Sequence, residues 1–179
     1  MKYVLLNPKG MPEAFFDSAV NIEIPESAVA ITEEEYQKLL SGSYVLFDGE
    51  LIDVTYKKWE NGKWVDMSQE EILQKLRADA KETVTRYTDY YFYKLAKERG
   101  DYLNMGEIEH DAKEGDKDAQ FLLKVYEALW KREEEFEKEI DESSAEKLQN
   151  ENILTVKKAY DQIVSQIEKE MEGSGEQGS

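Results

Sequence analysis

Two dipeptides, Asp48-Gly49 and Asn61-Gly62, constrain the fold of this chain more than any other feature of its sequence. Two-residue type I′ hairpin turns prefer these pairs, because both central residues of such a turn need a positive φ. Segments with strand composition flank each pair, at residues 44–47 and 51–56 and at residues 58–60 and 63–65. The sequence therefore predicts two hairpins close together, forming a small antiparallel sheet.

The residues before this sheet predict two further strands and one short helix. Residues 3–6 are apolar, and residues 21–24 alternate apolar and polar until Pro25, so both segments are predicted as strands. Thr32 and Glu35 have the spacing of a capping box, and Gly42 is a suitable helix end. A helix of about two turns is expected between them.

After Trp64, the spacing of the apolar residues changes from the alternation typical of strands to the three- or four-residue spacing typical of helices. Ser68 and Glu71 predict a helix start. A long amphipathic helix follows and is expected to end at Arg99-Gly100. Its apolar face is predicted to contain Ile72, Leu76, Ala80, Val84, Tyr87, Tyr91 and Leu95.

Two more helices are predicted in the last third of the chain. Residues 101–115 are expected to form a loop with a short helix, and Asp116 to cap the next helix. The buried face of that helix is predicted to comprise Ala119, Leu122, Val125, Tyr126, Leu129, Trp130, Phe136 and Ile140. Ser143 with Glu146 predicts the start of the last helix, whose apolar seam is Ile153, Val156, Tyr160, Ile163 and Ile167.

The seam of the last helix has two interpretations. It can pack on Trp130 and Phe136 of the preceding helix as an antiparallel hairpin, or it can pair with a partner chain or with its own copy as in a homo-oligomer. The seam is less than three heptads long, and helices of that length are marginal in isolation.

These elements together predict an α+β protein. A small N-terminal antiparallel sheet with one short helix would occupy residues 1–67, and a helical region of about three long helices would occupy residues 68–171. Residues 172–179 have the composition of a flexible tail.

Composition limits the chemistry that the chain can perform. The 179 residues include no cysteine and a single histidine, His110, which is expected on the surface; the weaker alternative is a metal ligand with Glu109 or Asp111. The net charge is −17, and both regions are acidic: residues 1–67 carry 6 bases and 12 acids. Nucleic-acid binding is therefore not expected. No membrane span and no signal peptide are predicted.

No catalytic constellation can be identified in the sequence. Glycine patterns for phosphate binding and the Gly-x-Ser-x-Gly elbow do not occur. The acidic runs at residues 33–35 and 133–135 are expected to open a helix and to cover a polar helix face. The chain is therefore predicted not to be an enzyme and to need no cofactor.

Aromatic residues are the candidates for binding another protein. Tyr87, Tyr90, Tyr91 and Phe92 lie close together on the long helix, where they cannot all share its buried face, and Tyr93 follows. Tyrosine and tryptophan contribute large contact areas to interfaces. Core packing is the alternative role for these rings. The hairpin tryptophans Trp59 and Trp64 are the second set of candidates.

The N-terminal third resembles the tail-fibre assembly proteins of tailed bacteriophages. The resemblance rests on Leu6-Asn7-Pro8, on an aromatic-containing loop at Ala14-Phe15-Phe16, and on IPESAVAITEEEYQKLLSG at residues 24–42. A second similarity, to phage tail-associated proteins, covers residues 98–102, 115–119 and 128–130. There, Asp101 interrupts the usual Gly-Tyr pair, and Asn104-Met105-Gly106-Glu107 replaces the usual small-residue segment.

The resemblance implies a chaperone-like protein that promotes folding, trimerisation or attachment of the receptor-binding fibre. Its partner would be a phage tail fibre or another tail protein, met in the host bacterial cytoplasm during assembly or in the virion tail. Two alternatives stay open. One is a structural virion component such as a tail or baseplate adaptor, and the other is an acidic phage effector that inhibits a host protein.

Overall fold

The computed structural model describes residues 1–21, 23–150 and 153–175. The protein is α+β, as predicted, and forms two compact units, Met1–Ile72 and Leu73–Ser179. The strands of the first unit are β1 (Lys2–Leu6), β2 (Pro12–Asp17), β3 (Val29–Ile31), β4 (Tyr44–Phe47), β5 (Glu50–Asp53), β6 (Lys57–Glu60) and β7 (Lys63–Asp66). The helices are α1 (Glu33–Leu40), α2 (Gln69–Gly100), α3 (Met105–Lys113), α4 (Lys117–Glu142), α5 (Ala145–Asn150) and α6 (Ile153–Gly175).

A three-stranded sheet, in the order β2-β1-β3, begins the first unit. Both partners of β1 run antiparallel to it, with Lys2 opposite Asp17 on one side and Ile31 on the other. The predicted loop at residues 14–16 is thus part of a strand. Residues 21, 23 and 24 are not part of a strand, so the prediction of a strand at residues 21–24 is wrong for them. Ile22 lies outside the described residues. The reason is a turn after β2, in which Asn21 Oδ1 accepts from Asp17 N at 2.7 Å.

Both predicted hairpin turns are present, with positive φ at all four turn residues: 51° at Asp48, 82° at Gly49, 51° at Asn61 and 81° at Gly62. The hairpins β4-β5 and β6-β7 are separate two-stranded sheets. The prediction that they form one small sheet is therefore wrong. The separation follows from Asp53, whose carboxylate accepts from the backbone N–H and the hydroxyl of Thr55. This turn ends the strand predicted over residues 51–56 at Asp53.

Helix α1 forms with the predicted capping box. Glu35 N donates to Thr32 Oγ1 at 3.2 Å, and Thr32 N donates to Glu35 Oε2 at 2.7 Å. Helix α2 begins with the second predicted box, formed by Ser68 and Glu71. A hydrogen bond from Lys58 and those from Ser68 lower the pKa of Glu71 to about 2. The buried apolar side chains described in the first unit are Val4, Ile31, Leu39, Val45 and Leu46.

Helix α2 ends at Gly100, as predicted, and Asp101 after it has a left-handed φ of 54°. The region after α2 contains the predicted short helix, α3, which has nine residues and is capped by Asn104. The start of the helix after α4 differs from the sequence prediction. Ser143 ends α4 instead of starting the next helix, and Lys147 N donates to Ser144 Oγ, so Ser144 begins the short helix α5.

The last helix packs within its own chain. Val156, Tyr160 and Ile167 are buried in the main core together with Phe136 of α4, while Ile163 is partly buried and the side chain of Ile153 lies outside the described residues. Tyr160 contacts Phe136, with ring centroids 6.2 Å apart. Helix α6 extends to Gly175, so the tail predicted at residues 172–179 is helical in its first half; residues 176–179 lie outside the described residues.

Candidate partner-binding surface

The aromatic cluster of α2 divides into three groups with different environments. Phe92 is fully buried, with its ring 5.2 Å from that of Tyr126 and 5.9 Å from that of Trp130. A side chain with no exposed surface has no atom with which to contact a partner. The assignment of Phe92 to a binding surface is therefore wrong, and the residue belongs to the core.

Tyr87 and Tyr91 are half-buried against Tyr160 of α6, with ring centroids 6.0 and 5.5 Å from it. The Tyr91 hydroxyl donates to Asp161 Oδ1 at 2.7 Å. Burial, and then the hydrogen bond to Asp161, raise the pKa of Tyr91 above its usual range. Burial also raises the pKa of Tyr160 to about 12. These rings connect α2 to α6, and they present only part of their surface to solvent.

Tyr90 and Tyr93 are the exposed members of the cluster, with 61% and 42% of their surface accessible. They lie three residues apart and so share one face of α2. Asp89, Lys94 and Lys97 border them in a shallow, mainly apolar depression. We call Tyr90, Tyr93, Lys94 and Lys97 the tyrosine patch. Two exposed rings with neighbouring ammonium groups provide the apolar area and the charge that a protein partner can recognise.

The hairpin tryptophans contact other residues of the first unit, and these contacts give both side chains a structural role. Trp59 and Trp64 are directly opposite each other on β6 and β7, with ring centroids 5.5 Å apart. Trp59 also contacts Phe47 of β4 at 5.1 Å. The Trp64 indole Nε1 donates to the carbonyl oxygen of Lys9 at 2.9 Å. The two rings, both half-buried, thus hold the hairpins and the β1–β2 loop of the first unit together.

Glu133 is a buried residue that the sequence interpretation missed. It was expected on a polar face, yet only 8% of its surface is exposed. Its Oε1 accepts from the Thr85 hydroxyl at 2.6 Å, and its Oε2 has no hydrogen-bond partner. The spacing of Leu129, Glu133, Phe136 and Ile140 is 4, 3 and 4, so the position lies on the apolar stripe. That spacing was the available signal.

An apolar groove in the helical unit was also missed. It has a volume of about 220 Å³ and is lined by residues of α2, α4, α5 and α6. Its apolar side chains include Leu76, Val84, Phe136, Ile140, Leu148 and Val156. Residues from four helices converge there, and sequence periodicity assigns each of them only to the buried face of its own helix.

His110 lies exposed on α3. Within residues 1–21, 23–150 and 153–175, no group of three or more acidic or histidine side chains is arranged to hold a metal ion. None of the helices in this part of the chain is both long enough and apolar enough to cross a membrane. Comparison with models of protein families, with curated proteins and with solved structures finds no match.

Proposed function

We propose that the chain is a protein-binding factor that assists assembly of a tailed-bacteriophage tail fibre. The observation that carries the proposal is the tyrosine patch, where Tyr90 and Tyr93 are exposed on a helix whose other face is buried. Exposed large rings grouped on one face are typical of interaction sites, whereas single exposed apolar residues need no explanation.

The choice of a tail-fibre partner depends on the resemblance of residues 24–42 to the assembly family. In this segment Thr32 and Glu35 form the capping box of α1, and Gly42 has the left-handed φ of 74° that ends a helix. The resembling segment thus comprises strand β3 and the capped helix α1. The partner is then the fibre or another tail protein, encountered in the host cytoplasm during assembly or in the virion tail.

The mechanism is binding without chemistry. The rings of Tyr90 and Tyr93 would cover apolar surface on a fibre segment that is exposed before trimerisation, and Lys94 and Lys97 would orient acidic groups of that segment. No cofactor is needed for this role, and the chain is proposed not to be an enzyme. Its charge of −17 keeps copies apart and disfavours nucleic acid.

Co-expression of the protein with the tail fibre that we expect to be encoded next to it tests the proposal. Soluble trimeric fibre is expected in its presence and not in its absence. The double variant Tyr90→Ala/Tyr93→Ala is expected to lose most of that yield, because truncation removes both exposed rings. Fibre trimer would be quantified by gel filtration and native electrophoresis.

The matched control is Leu103→Ala/Val20→Ala, which removes two apolar side chains that are at least as exposed, at 75% and 80%, outside the patch. This variant should keep the full yield. If the fibre trimerises equally well alone, the assembly role is excluded. Fixed stoichiometry of the protein in purified particles would then support the virion-component alternative, and capture of a basic host protein would support the effector alternative.

A further inference from the structure

The apolar groove of the helical unit differs from the tyrosine patch in shape and in charge. It is concave, with a volume of about 220 Å³ between α2, α4, α5 and α6. A cavity of about 150 Å³ lined by aliphatic and aromatic side chains is enough to hold a benzene ring. The groove therefore has room for one bulky apolar side chain, such as that of phenylalanine or leucine.

The lining residues that carry a charge are both acidic, Asp79 and Glu139. Their side chains are 56% and 47% exposed and form ion pairs with Lys75 and Arg132 at 2.6 and 3.0 Å. Ion pairs this exposed are weak, so a base from another molecule can replace the internal one. The overall charge of −17 adds a long-range attraction for basic segments and a repulsion between copies of this chain.

We propose that this groove binds a partner segment in which one bulky apolar side chain is flanked by lysine or arginine. The apolar side chain would contact Val84, Phe136 and Ile140, and the flanking bases would pair with Asp79 and Glu139. This is the arrangement of an interface anchor, in which a buried apolar group provides affinity and surrounding charges provide specificity. The site is independent of the proposed fibre-assembly role, because it shares no residue with the tyrosine patch.

The test uses the full chain and a fluorescein-labelled helical peptide with one phenylalanine between lysines. Binding is measured by fluorescence anisotropy, and amide NMR shifts identify the surface that the peptide contacts. The peptide is expected to bind and to shift the resonances of groove residues. A twin with alanine in place of phenylalanine, and a twin with glutamate in place of lysine, should each bind about tenfold more weakly or worse.

Two substitutions on α2 form a matched pair. Ala80→Phe fills the groove, whereas Ala78→Phe places the same ring at an exposed position two residues earlier. Ala80→Phe is expected to weaken binding about tenfold or more, and Ala78→Phe to leave it unchanged. Should Ala80→Phe fail to fold, Thr83→Leu narrows the groove from an exposed position. The milder double variant Asp79→Asn/Glu139→Gln keeps the shape of the groove but removes both of its negative charges. It should weaken binding of the lysine peptide but not that of the glutamate twin.

Several results would overturn the proposal: no binding of the lysine peptide, equal binding of the glutamate twin, or equal binding by the filled and unfilled variants. NMR shifts centred on Tyr90 and Tyr93 would assign the peptide to the tyrosine patch and would also contradict it. Sedimentation showing that Ala80→Phe abolishes a dimer of the free protein would replace the basic partner with a second copy of this chain. Failure of fibre assembly in co-expression has no bearing on these outcomes.

Discussion

The hydroxyl groups of Thr88 and Tyr160 form a buried polar pair whose direction can be deduced from the structure. Both residues are fully buried, and their oxygens are 2.7 Å apart. The Thr88 hydroxyl has one proton, which it donates to the carbonyl oxygen of Val84 at 3.0 Å. Tyr160 must therefore be the donor to Thr88.

This direction predicts unequal effects of two substitutions. Tyr160→Phe removes a donor and leaves Thr88 bonded to Val84, so it should destabilise the protein by about 1 kcal/mol. Thr88→Val leaves the Tyr160 hydroxyl buried without an acceptor and should destabilise it by about 1–3 kcal/mol. Urea denaturation measures both free energies of unfolding. A larger effect for Tyr160→Phe would mean that the assigned direction is incorrect.

The same tyrosines predict a loss of stability in alkali. Burial raises the pKa of Tyr160 from 10.0 to about 12, and also raises those of Tyr87 and Tyr91. The folded state then holds protons that the unfolded state has released, so the free energy of unfolding falls as pH rises from 10 towards 12 and is unaffected by these groups below pH 10.

Tyrosinate absorbance and urea denaturation at several alkaline pH values measure this effect. Tyr160→Phe is the control and should show a smaller decrease in stability over the same interval. If all eleven tyrosines contributed tyrosinate absorbance over this pH interval while the protein was still folded, the raised pKa values of the buried tyrosines would be contradicted.

At the scale of the elements, the loop between β1 and β2 has a backbone in which only glycine fits at residue 10. Gly10 has a φ of 78°, and a Cβ built on it would lie 2.4 Å from the carbonyl oxygen of Leu46 in β4. The Gly10 carbonyl in turn accepts from Leu46 N at 2.9 Å. The contact joins the first sheet to the first hairpin through backbone atoms, which cannot move aside as a side chain would.

A matched pair of substitutions separates conformational strain from this steric contact. Gly62 also has a positive φ, 81°, but its Cβ would meet nothing within 4 Å. Gly62→Ala should destabilise the first unit by about 1–2 kcal/mol, the penalty of the left-handed conformation. Gly10→Ala should destabilise it further, because the backbones of the loop and β4 must separate. Chemical denaturation followed by tryptophan fluorescence measures both, and equal effects would exclude the steric contribution.

How well sequence predicted each element depended on the range of its interactions. The caps at Thr32, Ser68 and Asp116 and the two hairpin turns were predictable, because each is decided by residues within a few positions of one another. Strands β2 and β3 were not, because they are stabilised by pairing with β1 across the turns between them.

The candidate binding surface also depends on contacts between residues that are far apart in the sequence. Periodicity identified α2 as aromatic and amphipathic, but the separation of buried Phe92 from exposed Tyr90 depends on Tyr126 and Trp130 of α4. The spacing of Glu133 places it on the apolar stripe of α4, whereas its charge is typical of an exposed position. The groove is formed by residues of four helices, and the sequence of each helix does not show how the four pack together.

For the whole molecule, the two units have cores of very different size. Of the residues that the structure describes, five buried apolar side chains belong to Met1–Ile72, whereas sixteen belong to the helical unit. Small cores leave little free energy above the conformational entropy of folding. Amides of β1 and β4 should therefore exchange with deuterium faster than those in the middle of α4.

Hydrogen exchange followed by mass spectrometry measures this difference. Leu39→Ala, in the small core, is expected to increase exchange in the strands well beyond its effect on α4. Equal protection of the strands and α4 in the unmodified protein would contradict this account of the two cores.

The contact at Gly10 also bears on how relatives of this protein can be recognised. Surface charges, exposed rings and even core side chains can be exchanged over time for others of similar character. A position where any side chain would meet a neighbouring backbone has no such freedom. A glycine that follows the first strand and faces a later hairpin should therefore persist in chains that share this arrangement, after residues 24–42 have diverged beyond recognition.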